Sequence, residues 1–179
     1  MNYSQIVDCD IANGEGVRIS LFVSGCRHQC RNCFNPEAWN FNFGRPFTKD
    51  TEDLLLRMCK PKYIDGLTLL GGDPMEPENQ EVILPFLQKF KEAYPNKTIW
   101  LYTGCTLSDN CQNIIGYGQV DGLTNKILSI VDVVVDGEFK EELKDLNLKF
   151  RGSSNQRILN VAQIRTKSKE DMHGDTTSP

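Results

Sequence analysis

Short runs of aliphatic and β-branched residues alternate along the chain with longer segments whose apolar side chains return every three or four positions. Glycine marks most of the changeovers. Residues 18–24 (RISLFVS) form the first such run and stop at Gly25, which predicts a strand. Residues 66–70 predict a short buried strand feeding Gly71-Gly72-Asp73-Pro74, and residues 98–103 (TIWLYT) a third strand stopped by Gly104. Residues 131–136 (VDVVVD) predict a fourth, ended by Gly137. Between these runs, Thr48 or Asp50 is placed to cap a helix over residues 51–59 with Leu54, Leu55 and Met58 on one face. Ile83, Phe86, Leu87 and Phe90 recur at helical spacing over residues 83–93, so Pro85 must lie in the first turn or kink the helix. Residues 124–130 predict another helix. The polar segment 151–157 predicts a turn, a docking surface or a pocket wall before a final strand over residues 158–161.

This βαβα alternation with near-continuous apolar strands predicts an α/β fold, a parallel sheet flanked by helices. Both an open sheet and a partial, TIM-like βα barrel fit the pattern, and the partial barrel is the expectation. Sites in such sheets gather at the carboxyl ends of the strands. The loops after residue 24, at 71–74 and at 102–104 all fall there. One domain is expected over residues 1–165. The polar segment 166–179 (TKSKEDMHGDTTSP), His173 included, reads as a disordered tail.

Composition narrows the class only a little. The chain has 179 residues, with 20 Lys and Arg against 24 Asp and Glu, so no electrostatic argument favours a nucleic-acid partner. Its apolar stretches are too short to span a bilayer, and its first residues carry no basic or apolar leader pattern, so a reduced cytoplasm is expected.

The chemistry concentrates in Cys26, Cys30 and Cys33, spaced CxxxCxxC. Three thiolates can hold three corners of a cubic iron–sulfur cluster and leave the fourth iron open to a ligand, whereas electron-transfer clusters use four protein ligands. Structural zinc requires a fourth ligand, and the nearby candidate, His28, would have to fold back past Cys26 and Cys30. Seven cysteines, an odd number, argue against a disulfide framework. Cys9, Cys59, Cys105 and Cys111 read as ordinary free thiols, commonly small buried hydrophobes, and Arg18 reads as surface charge.

Cys26, Cys30 and Cys33 followed by Phe34, with Gly71-Gly72-Asp73-Pro74 after a later strand, resemble the radical S-adenosylmethionine superfamily. Further segments resemble the anaerobic ribonucleoside-triphosphate reductase-activating proteins in particular. These are Asp10 to Gly16 (DIANGEG), Leu21 to Cys26 (LFVSGC), Ile99 to Gly104 (IWLYTG), Asp136-Gly137 and Arg151 to Gln156 (RGSSNQ).

The resemblance implies a [4Fe-4S] cluster on Cys26, Cys30 and Cys33, with S-adenosylmethionine on the open iron. It implies reductive cleavage of that compound to methionine and a 5′-deoxyadenosyl radical, and a glycyl radical then made on the anaerobic ribonucleoside-triphosphate reductase. A flavodoxin- or ferredoxin-like protein is the implied electron donor. Phe34 is implied to pack on the adenine, Asn32 and Cys33 to offer backbone groups to its edge, and the loop Gly71, Gly72 and Asp73 to meet the methionine amino group. Thr103 and Asp136, at two later strand ends, are expected to line the same pocket. A related subgroup carries lysine two residues after such an aspartate, where this chain has Glu138. An activase of another glycyl-radical enzyme and a non-enzymatic metal-binding protein are the competing expectations.

Overall fold

In the computed structural model, residues 1–109, 113–115, 120 and 122–164 are described. Cys111, the predicted tail and His173 lie outside them. The strands are β1 (Asn2–Asp10), β2 (Arg18–Val23), β3 (Arg45–Pro46), β4 (Gly66–Gly71), β5 (Thr98–Tyr102), β6 (Thr106–Leu107), β7 (Ile114–Ile115), β8 (Val133–Asp136) and β9 (Arg157–Asn160). The helices are α1 (Lys49–Met58), α2 (Pro77–Ala93) and α3 (Leu123–Ile130).

Seven strands form one sheet in the order β3-β1-β2-β4-β5-β8-β9, and β6 and β7 pair separately. The four central strands, β2, β4, β5 and β8, are parallel, in registers such as Val23 with Gly71 and Leu67 with Ile99. The flanking strands β1, β3 and β9 run antiparallel, so the sheet is mostly parallel rather than wholly so.

Helices α1, α2 and α3 lie on one face of the sheet. Ile19, Leu21, Leu67, Leu69, Ile99 and Leu101 join Leu55 of α1, Phe86 and Phe90 of α2, and Ile127 of α3 in one core. Alternate residues of the same strands point the other way and include Arg18, Ser20, Thr68 and Tyr102. The expectation of helices flanking the sheet therefore holds for one side. The other side is more polar, setting Arg18, Ser20 and Thr68 beside Phe22, Leu70 and Trp100, because every second residue of β2 is not aliphatic, a period-two signal within a run that otherwise reads as continuous.

Several predicted boundaries shift. Thr48 caps α1 through a capping box with Thr51, yet Leu54 is 39% exposed and lies off the apolar face. Helix α2 begins at Pro77, whose missing N–H costs nothing in a first turn. Pro85 therefore stands inside the helix, on its exposed side, where the unpaired carbonyl of Glu81 can be hydrated. Val131 ends α3 instead of starting β8. Strand β1 was not legible in its mixed sequence NYSQIVDCD, because its apolar residues do not alternate.

Arg18 is not at the surface. It is fully buried on the polar face. Its guanidinium donates to Thr68 Oγ1 at 2.7 Å, to Thr98 Oγ1 at 3.0 Å, and to the carbonyls of Leu67 at 2.8 Å, Thr98 at 2.9 Å and Glu15 at 3.0 Å. It also lies 5.7 Å from the Trp100 ring centroid. Burial lowers its pKa to about 10, and it remains charged. Residues 11–17 cross this face above it, held where Asp10 accepts from Ser20 Oγ at 2.6 Å and Thr68 Oγ1 donates to the Asn13 carbonyl at 2.8 Å.

Arg18→Met is expected to leave these acceptors without donors and to lower stability by at least about 3 kcal/mol. Arg18→Lys should recover only part of that loss, because an ammonium lacks the planar fork. Urea unfolding checks both. A wild-type midpoint for Arg18→Met would contradict the assignment.

Candidate functional site

The cysteine loop leaves the C-terminal end of β2 and turns in an unusual way. Gly25, Gln29 and Asn32 each immediately precede a cysteine, and each has a positive φ, at 98°, 49° and 55°. A left-handed residue before every thiol reverses the chain three times within eight residues, from Gly25 to Asn32, and keeps the cysteines in one compact loop. Gly25 adopts this conformation without strain and Asn32 at little cost, which leaves Gln29 the strained one, and a Cβ at Gly25 would also meet Phe41 Cδ1 at 2.4 Å. The short 3-10 turn Pro36–Trp39 straps the loop, with Gly25 N donating to Ala38 O at 2.7 Å and Cys26 N to Trp39 O at 3.2 Å.

Backbone N–H groups converge on all three sulfurs. Asn35 N lies 3.4 Å from Cys33 Sγ, the amides of His28 and Gln29 reach Cys26, and that of Phe139 reaches Cys30. Burial, and then the charge of Asp73, nevertheless push the Cys26 thiol up to about 12, and burial also raises Cys30. Hydrogen bonds to sulfur of this kind stabilise thiolate and set the potential of an iron–sulfur group.

His28 faces away from a fourth-ligand position. Its Nδ1 lies 2.9 Å from Glu138 Oε1 and its Nε2 3.1 Å from Asp73 Oδ2. Asp73, then Cys105 and Glu138, hold the imidazolium protonated, with its pKa pushed up to about 12 against the opposing effect of burial. His28, Asp73 and Cys105 bring donor atoms within 4.8 Å of one another. A proton accounts for that trio, since Asp73 Oδ2 also accepts from Thr103 Oγ1 and Gly104 N, both at 3.0 Å. Glu138, where the related subgroup has lysine, is thus a partner of His28. Cys105 and Cys59 are buried, as expected of small apolar side chains, with Cys105 Sγ 3.5 Å from His28 Nε2, whereas Cys9 is exposed.

A cavity of about 410 Å³ opens beside Cys26, Cys30 and Cys33 on the polar face of the sheet. Of the residues read from sequence, it is lined by Asn32, Phe34, Gly71, Gly72 and Thr103 as well as the cysteines. Phe34 is 78% exposed at its edge. Asp73 is not on the wall: its carboxylate faces Met75 N, Thr103, Gly104 and His28 and ties the two strand-end loops together. Asp136 is not brought there either. It is buried beside Arg157, with Nε 2.9 Å from Oδ1, and borders a neighbouring cleft of about 790 Å³. Residues 151–156 form a turn closed by Arg151 Nη1 on Gln156 O at 2.7 Å, and Arg151, Gly152 and Gln156 wall the cysteine-side cavity, whereas Arg157 begins β9. Sequence reasoning missed Trp39, Tyr102 and Phe139 on that wall, although Tyr102 falls on the polar face by strand alternation.

The donor set fits a cluster with an open iron. Three thiols share one loop, each sulfur has a backbone N–H, the histidine is committed elsewhere, and the adjoining cavity is large enough for a small molecule. A family model described as a 4Fe-4S single cluster domain matches residues 12–159. The chain is 43% identical over 165 residues to the anaerobic ribonucleoside-triphosphate reductase-activating protein of Pasteurella multocida, covering 91% of this chain and 99% of that one. It belongs to that family. The Escherichia coli K12 member is 40% identical over 158 residues, with 87% and 96% covered, and that of Enterobacteria phage T4 is 40% identical over 158 residues, with 88% and 93% covered.

The left-handed residues give this loop a test. Gln29→Gly is expected to leave stability equal or raised, whereas Gln29→Val should cost about 1–2 kcal/mol and lower the iron bound per chain after anaerobic reconstitution. Thermal unfolding and iron analysis measure the two effects. Equal behaviour of both variants would contradict the geometry.

Proposed function

We propose that this chain generates the glycyl radical of an anaerobic ribonucleoside-triphosphate reductase, as a radical S-adenosylmethionine enzyme. The observation that carries the reading is the trio Cys26, Cys30 and Cys33 beside a cavity, with the one histidine of the motif held by Asp73 and Glu138. Cys26, Cys30 and Cys33 would hold a [4Fe-4S] cluster, which would supply the one-electron reduction of S-adenosylmethionine that the reading requires.

The chain's own residues position and shield. Gly71 and Gly72 bring backbone close to the methionine end, since no Cβ intervenes. Phe34, at the cavity edge, packs on the adenine, and the backbone of Asn32 meets its edge. The sheet serves as an incomplete barrel, and the open side beside Phe34 admits the glycine loop of the reductase, which completes the enclosure. A flavodoxin- or ferredoxin-like protein donates the electron, because the step needs the low end of the iron–sulfur potential range. No helix among the described residues is long and apolar enough to cross a membrane, and a reducing cytoplasm suits the free thiols.

Anaerobic reconstitution, reduction and addition of S-adenosylmethionine should yield 5′-deoxyadenosine, and adding the reductase should yield a glycyl-radical doublet in electron paramagnetic resonance. Cleavage without a doublet would move the reading to another glycyl-radical partner, and no cleavage would reduce it to a metal-binding protein. Cys30→Ala is expected to lose cluster and cleavage together. A variant that cleaved at the normal rate would overturn the ligand assignment.

A further inference from the structure

Burying a hydroxyl or an indole N–H without a hydrogen bond costs roughly 1–3 kcal/mol, so native folds keep few such groups. Among the described residues, the buried polar atoms without a partner include Trp39 Nε1 and Tyr102 Oη. Both side chains line the cavity beside the cysteines. The two arrive from unrelated parts of the fold, Trp39 from the turn that straps the cysteine loop and Tyr102 from the C-terminal end of β5. Their neighbours are not so placed. Trp100, two residues before Tyr102 on the same face, is enclosed by Arg18 and by Phe150, whose ring centroid lies 5.4 Å away. Thr103, one residue after, has its hydroxyl on Asp73.

The chemistry of the pair restricts the ligand. An indole N–H can only donate, and a neutral phenol can donate or accept. Burial, and then the nearby Asp10, raise the Tyr102 pKa, so the group is an un-ionised hydroxyl. Together they suit a molecule that offers a lone pair at one point and an oxygen at another. We infer that Tyr102 Oη and Trp39 Nε1 are direct polar contacts to the bound S-adenosylmethionine, the hydroxyl serving an oxygen of its ribose or carboxylate and the indole a lone pair. This rests on the reading of the site given above and assigns two residues to it.

The test uses the reconstituted holoprotein and needs no turnover. Tyr102→Phe removes one oxygen and keeps the ring. It is expected to weaken S-adenosylmethionine binding, measured calorimetrically, roughly tenfold. The cluster absorption spectrum should stay unchanged, and the ligand-free protein should melt at the same temperature or higher, because an unpaired buried group has been removed. Trp39→Phe should weaken binding by a similar factor. With 5′-methylthioadenosine, which lacks the amino-acid part, a Tyr102→Phe penalty that persists assigns the hydroxyl to ribose, and one that vanishes assigns it to the carboxylate. Wild-type affinity in both variants would overturn the assignment alone, as would a lower melting temperature for ligand-free Tyr102→Phe, which would mark a partner inside the protein. Wild-type holoprotein that bound no S-adenosylmethionine would sink the functional reading and this inference with it.

Discussion

A protonated imidazole between two carboxylates is the joint on which the site depends. His28 belongs to the cysteine loop, Asp73 to the turn after β4, and Glu138 to the segment after β8, so one ring fastens three strand ends to one another. A shielded charge-assisted hydrogen bond contributes about 1.5–3 kcal/mol, as between His28, only 9% exposed, and the buried Asp73, and the contact to the half-exposed Glu138 adds less. Asp73 extends the joint to a fourth segment through Thr103 and Gly104. The cysteines thereby acquire a fixed position relative to the sheet that three left-handed residues in a surface loop could not secure alone.

The same sheet holds two opposite solutions to burying polarity. At the N-terminal ends of the central strands, Arg18 is saturated by hydroxyls and carbonyls and closes the polar face against water. At the C-terminal ends, Tyr102 and Trp39 carry polar atoms that no described residue satisfies. The satisfied network lies at the first end and the unsatisfied atoms at the second, beyond the carboxyl ends of the strands, where a parallel sheet is expected to place its ligands.

Much of this was legible in the sequence because it depends on local pattern. The central strands end at, or one or two residues before, Gly25, Gly71, Gly104 and Gly137, each readable from an apolar run that stops near glycine, and the CxxxCxxC spacing carries its own chemistry. What escaped depends on pairing across the chain. Arg18 looks like surface charge until β4 and β5 bring Thr68, Leu67 and Thr98 to it from 49 to 80 residues away. Strand β1 has no periodic signal and is held as a strand by β2 and β3. Asp136, grouped with the cavity because it ends a strand, turns to Arg157 and Leu107 N, since strand alternation sends it to the face opposite Val135.

Glu138 shows how one such pairing changes the reading of a motif. In a cofactor pocket, an acid in place of a lysine looks like the loss of a cationic contact, and on sequence alone it weakens the resemblance. Its carboxylate is instead 2.9 Å from His28 Nδ1. The charge at this position therefore pairs with the cysteine loop. A histidine held at both nitrogens cannot turn toward the thiols as a fourth donor. On the proposed assignment, an acid at position 138 would help keep the ligand set at three, and a set of three would leave an iron vertex open for chemistry.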